Sequence, residues 1–251
     1  MPDAFPDLTL AQMLLVAGTA FVASVIGGMA GYGTGLLLPL ALVPIIGAEA
    51  TVPAIAMTSL FTNASRGWAQ RDAINWQHVG LMLPIAAPMA VLAAMFFVRL
   101  DGRGATIAIG VVLIALVPLR RVLARIGYRL GTRGLIAGGA VFGFVTGTST
   151  GAGVILISIL MASGLTGAAV VATDAVISIT IGIVKVITFR SLDALPIALI
   201  VFAGLVGCAT IPGAFIAKWL IERLSTRVHT ALLDGVVLLG GSLLILRALF
   251  S

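Results

Sequence analysis

Charge is scarce in this sequence: of 251 residues, 10% are Asp, Glu, Lys or Arg, against about 25% in an ordinary soluble domain. That scarcity excludes a water-soluble fold, because much of any folded surface faces solvent, and here 60% of the residues are hydrophobic. Acids are rarer still, and the balance is +6. In a soluble protein such an excess points to nucleic acid. Here the cations fall in short loops, so the positive-inside rule of membrane proteins accounts for it and no nucleic-acid partner is expected. Cysteine is almost missing. Cys208 stands alone in an apolar run, which excludes an intramolecular disulfide and a thiol relay, since each needs a pair. The first residues hold Asp3 and Asp7 but no Lys or Arg, so they lack the basic start of a signal peptide, and the first apolar segment is expected to remain as a helix. Strict alternation of apolar and polar residues is absent too, which excludes a transmembrane β-barrel. Nothing calls for a metal or cofactor, and no stretch is left over for a soluble catalytic domain.

What is present is a series of apolar runs, at about 8–28, 35–47, 50–70, 76–98 and 104–119, then 134–147, 152–165, 167–189, 194–221 and 228–249. A break carrying Arg120, Arg121, Arg125, Arg129 and Arg133 without one acid separates the two sets. The order of features recurs on both sides, the mark of an internal duplication. The clearest repeated feature is rich in glycine: Gly27-Gly28-Met29-Ala30-Gly31-Tyr32-Gly33-Thr34-Gly35 in the first half, Gly143 to Gly153 in the second. Aligning their ends pairs Gly33 with Gly151 and Gly35 with Gly153. Pro88 recurs as Pro212, and Arg99-Leu100 as Arg223-Leu224. The domain reading is a first membrane repeat over 1–120, a basic cytoplasmic connector over 121–133 and a second membrane repeat over 134–251.

The second run of each half is too short to cross a bilayer. A helix from Gly35 to Gly47 rises about 20 Å against a hydrocarbon core of roughly 30 Å. Runs one and two of each half are therefore read as a broken or re-entrant pair that meets at the glycines and returns to its starting side. Three full spans follow, so each half changes sides and the halves are inverted. With the Arg-rich break in the cytoplasm, ten cations lie inside and five outside, among the latter Lys185 and Arg190. The fold expected is an all-α integral membrane protein, multi-pass in the inner (plasma) membrane, built from two inverted-topology repeats of about five hydrophobic segments each. Secondary transporters are often built this way, with substrate near mid-membrane where the breaks meet.

These residues resemble the TauE/SafE sulfite exporter family, also called the 4-toluene sulfonate uptake permease family. Each half of that family has a Gly-rich stretch leading into a Pro-containing apolar run, a small-residue Thr-Ser segment and a short polar loop of the type Arg-x-x-x-Asn/Val-x-Trp. The first half here has Gly31-Tyr32-Gly33-Thr34-Gly35 with Pro39, then Thr58-Ser59, then Arg71-Asp72-Ala73-Ile74-Asn75-Trp76. The second has Gly147 to Gly153, then Ala169 to Asp174, then Arg190-Ser191-Leu192-Asp193. It departs in having Ile157-Ser158 where the proline falls, and Thr173-Asp174 in place of Thr-Ser. The resemblance spans nearly the whole chain and implies a secondary carrier of a small sulfur-containing anion (sulfite, an organosulfonate or similar), not an enzyme. A homodimer suits a carrier that moves one part against a scaffold, and membrane lipid is its other partner.

The candidate substrate-binding residues gather at the breaks and in the small-residue segments: Gly31, Gly33, Thr34, Gly35, Ser59 and Asn63 in the first half, and Thr148, Ser149, Thr150, Gly151, Gly153 and Ser178 in the second. A helix starting at Gly35 or Gly153 leaves its first N–H groups unpaired, and these cannot face lipid. Their partial positive charge suits an anion. The plain alternative for each glycine is close helix packing. Two such ends, with hydroxyl donors, are expected to hold a sulfonate without a buried cation. Asp174 follows the Leu165–Gly167 turn by only seven residues, about 10 Å of rise, and so falls in the hydrocarbon zone, where a carboxylate is costly and tends to be functional. It is read as a coupling group, against an Arg-paired or exposed carboxylate near the interface. Arg66 and Lys185 are the other coupling or charge candidates, although residues so placed mostly snorkel to the interface. Asp234 and the span-end His78 and His229 are read as structural or interfacial. Ser149 also sits in a Gly-x-Ser-x-Gly match, the pattern of a serine nucleophile, so an intramembrane serine hydrolase is the rival reading; it needs a base beside the hydroxyl. A structural membrane subunit is the third.

Overall fold

The computed structural model describes residues 9–30, 33–125 and 130–221, with isolated positions beyond. Gly31, Arg129 and most of the last apolar run at 228–249, with Arg223, Arg227, His229, Asp234 and Arg247, lie outside the described residues. Those described form helices and no strand: α1 (Leu10–Ala30), α2 (Gly33–Ile46), α3 (Ala48–Ala69), α4 (Trp76–Val98), α5 (Gly102–Arg125), α6 (Thr132–Thr148), α7 (Gly153–Ala162), α8 (Ala168–Ser191) and α9 (Ile197–Ile221). Helix boundaries broadly follow the breaks between apolar runs, but the segment read as a connector is partly helical: α5 continues to Arg125 and α6 begins at Thr132. Arginine is a good helix former, so loss of apolar character alone does not end a helix.

By length and composition, α4 and α8 are able to cross a membrane. Their outer faces leave Leu92, Phe96, Ile183 and Ile187 exposed, and Leu10, Leu14 and Leu205 are exposed on α1 and α9. Apolar surface on this scale suits lipid. Helices α2 and α7 are short, with 14 and 10 residues, rising about 21 and 15 Å.

Packing depends on small residues, because lipid removes the hydrophobic drive between helices and close backbone contact replaces it. On α6, Gly139, Gly143 and Gly147 recur every four residues and lie against Met82, Ala86 and Ala90 of α4 at the same spacing. A methyl at Gly147 would stand 2.5 Å from Ala90 O and from Ala93 Cβ. Helix α1 lies along α9 in a similar way, where Ser24 Oγ donates to Thr210 O at 2.5 Å. Helices α3 and α8 pack on one another, α3 also on α9 and α8 also on α4.

Candidate functional site

Between α6 and α7 the chain leaves helical geometry. Ser149 is extended, with φ −153° and ψ −169°, and Gly151 adopts φ +81°, a left-handed conformation that favours glycine. Helix α7 then begins without a side-chain cap. Gly35, near the start of α2, approaches this break backbone to backbone: a methyl on Gly35 would lie 2.6 Å from Gly151 N and 2.8 Å from its Cα. The two glycine motifs therefore touch, and the contact runs from Gly35 to Gly151.

A cavity of about 90 Å³ opens beside this contact. Thr34, Gly35, Ser59, Asn63, Arg66, Thr150, Gly151, Gly153, Ser178 and Lys185 line it. Several candidates do not. Thr148 Oγ1 turns back to Phe144 O and Val145 O at 3.2 and 3.3 Å. Ser149 is fully buried off the cavity wall, Asp174 stands behind Arg66, and Gly31 is outside the described residues. The rest of the wall is Ile55, Ala56, Phe142, Thr146, Ala152, Ile181 and Gly182. Of these, Thr146 and Ala152 belong to the Gly143–Gly153 motif. The others sit inside apolar runs, where no sequence signal separates a cavity wall from a packed core.

The charges are the main correction. Arg66 and Lys185 are 8% and 5% exposed, so neither snorkels, and a site without a buried cation is not what the fold builds. Arg66 Nη2 donates to Asp174 Oδ2 at 2.5 Å and Nη1 to Asn63 Oδ1 at 3.2 Å. Asp174 is 1% exposed. The pair joins α3 to α8 across the two halves. Lys185 Nζ donates to Thr146 O and, at 3.5 Å, to Ser149 O, the carbonyl end of α6, where a helix carries partial negative charge. Each cation finds its partner inside the bundle, which removes the reason to reach for the interface. Thr150 Oγ1, on the wall and 3% exposed, has no hydrogen-bond partner among the described residues, a condition rare in buried hydroxyls.

The hydrolase geometry is not present among the described residues. Ser149 Oγ has no partner. His78 is committed elsewhere, with Nδ1 2.8 Å from Asn75 Oδ1 and Nε2 2.9 Å from Ser163 Oγ. His229 lies outside the described residues.

A chain whose described residues form helices with lipid-suited faces around a small polar cavity with buried cations is of the class of membrane proteins that handle small charged solutes. The chain belongs to the sulfite exporter TauE/SafE family, which it matches over residues 16–244, nearly its full length. It is thus a membrane transport protein of a family of sulfur-anion exporters. Neither the curated proteins nor the solved structures compared with it gave a match.

Proposed function

We propose that the chain moves a small sulfur-containing anion, sulfite or a short organosulfonate, through the central cavity by alternating access between two inverted repeats. The observation that carries this reading is the meeting of Gly35 with Gly151 at a cavity lined by Arg66 and Lys185. A register shift of 119 residues pairs Ser59 with Ser178 and Arg66 with Lys185, and all four line the cavity. The helix pairs support a two-fold exchange of the halves as well. If α1 corresponds to α6, α3 to α8 and α4 to α9, then α4 on α6 answers α1 on α9, α3 on α9 answers α8 on α4, and α3 on α8 maps to itself. In this scheme an oxyanion takes N–H donors from the starts of α2 and α7, a hydroxyl from Thr150 and charge from the cations.

Asp174 supplies the coupling. With its carboxylate on Arg66, one of the two cations is already neutralised. A proton bound by Asp174 would free that charge for the anion, so that anion and proton bind together. Calorimetric titration of sulfite and of a short alkanesulfonate into purified protein tests the site: saturable binding lost in Gly151→Val supports it, and unchanged affinity in that folded variant removes it. For coupling, Asp174→Asn should abolish gradient-driven accumulation in proteoliposomes while sparing binding. Driven uptake at the wild-type level would take Asp174 out of the mechanism.

A further inference from the structure

A second cavity, of about 570 Å³, opens at the other end of the same helices, lined among others by Ile45, Ile46, Glu49, Phe97, Leu192 and Asp193. It lies beside the α2–α3 and α8–α9 turns; it shares α2 and α3 with the central cavity and abuts the end of α8. Ser178, Ile181 and Lys185 of α8 line the central cavity, and Leu192 and Asp193, just past the end of α8, line the outer one; Phe189 falls between them on the same stripe at helical spacing. On α3 the stripe runs from Glu49 through Val52 to Ala56 and Ser59, and on α2 from Ile45 through Leu42 and Leu38 to Gly35. Between the two linings the chain rises about 8 Å on α3, 10 Å on α8 and 15 Å on α2.

We infer that the outer cavity is an access vestibule of the transport path and that Leu38, Leu42, Val52, Phe97 and Phe189 form the closed septum between it and the anion site. This deepens, and rests on, the reading of the central cavity as a transport site. Each septum side chain is at most 2% exposed, and the Phe97 and Phe189 rings meet edge to face with centroids 6.3 Å apart and planes at 76°. An anion finds no donor on these side chains, and an apolar constriction of this kind excludes water as well as ions. Two of the helices that carry the septum, α2 and α3, are also able to bend there. Pro39 and Pro44 lie inside α2 on either side of Leu42, and Pro53 follows Val52 inside α3. Each proline removes a backbone donor from the helix ladder and weakens it locally.

The test is accessibility of the central cavity from the vestibule face. In a Cys208→Ala background reconstituted in liposomes, Ser59→Cys reports the cavity, and Asp193→Cys, at an exposed position, marks the face. A small impermeant sulfonated methanethiosulfonate is added to each side in turn. Phe189→Ala and Phe97→Ala should raise the modification rate of Ser59→Cys at least tenfold from the face that labels Asp193→Cys, and leave the rate from the other face unchanged. Leu42→Ala and Val52→Ala, on different helices, carry the same expectation if a phenylalanine variant fails to fold. Unchanged rates in the folded variants would overturn the septum. Sulfite binding by the unaltered protein is read separately by calorimetry. Binding with no accessibility change sinks the septum alone, whereas faster labelling without sulfite binding keeps the septum and sinks the substrate reading.

Discussion

Ser149 and Thr150 are neighbours with similar chemistry, and spacing alone cannot separate them. The fold does, because Thr150 lines the cavity and Ser149 is buried off its wall. Removing the Thr150 hydroxyl with an isosteric Thr150→Val is expected to weaken sulfite binding about fivefold to thirtyfold, corresponding to about 1–2 kcal/mol for a hydrogen bond to a charged acceptor. Ser149→Ala removes a hydroxyl that makes no hydrogen bond among the described residues, so affinity should stay within about twofold and the melting temperature should not fall. A loss of affinity in Ser149→Ala with none in Thr150→Val would reverse the assignment. Asp174 and Arg66 are coupled more tightly. Asp174→Leu leaves a buried guanidinium without its carboxylate, which costs roughly 3–5 kcal/mol, whereas replacing both members by apolar residues is often close to neutral. Thermal unfolding in detergent should therefore show Arg66→Met/Asp174→Leu melting above Asp174→Leu, and the opposite order would mean the pair is not the source of the loss.

Among the helices, the apolar runs announce nearly every element, because a continuous hydrophobic stretch bounded by Gly, Pro or charge has few alternatives in lipid. What they do not announce is which face of each helix meets which neighbour. Gly80 of α4 and Gly147 of α6 look alike in the sequence, yet a methyl at Gly80 meets nothing within 4 Å while one at Gly147 strikes α4 at 2.5 Å. Gly147→Ala is expected to cost about 1–3 kcal/mol through overpacking. Gly80→Ala should be neutral or stabilise by up to about 1 kcal/mol through helix propensity. Equal melting temperatures for the two variants would show that the α4–α6 contact tolerates separation. At Gly35 the same argument bears on the site: Gly35→Ala forces the starts of α2 and α7 apart and should abolish anion binding in protein that still folds.

For the whole molecule, the proposed orientation puts the α3–α4 turn inside and the α8–α9 turn outside. In a Cys208→Ala background, cysteines replacing the exposed Asp72 and Asp193 should label from opposite faces with an impermeant maleimide; labelling from one face would remove the inverted topology. The charge argument for that orientation is weaker than the full count of cations implies. Arg66 and Lys185 are buried in the bundle and are not loop charges, leaving nine inside against four outside. The bias keeps its sign.

The sequence by itself determined the solvent and the building blocks. Too little charge for water and a run of apolar segments leave only helices in a bilayer, since backbone groups in hydrocarbon must be satisfied within the segment. Duplicated glycine motifs and the order of small polar segments were enough to identify the family and to single out residues such as Gly35, Gly151, Ser59 and Ser178. Tertiary structure alone decided where charge sits. Whether a lysine late in a helix reaches the interface or turns inward depends on what lies across from it, and Lys185 turns inward because the carbonyl end of α6 is there. Arg66 is held inside by Asp174, 108 residues away in sequence. Neither partner is visible from local spacing, because each belongs to another helix, brought alongside only when the bundle packs; for Arg66 that helix lies in the other half.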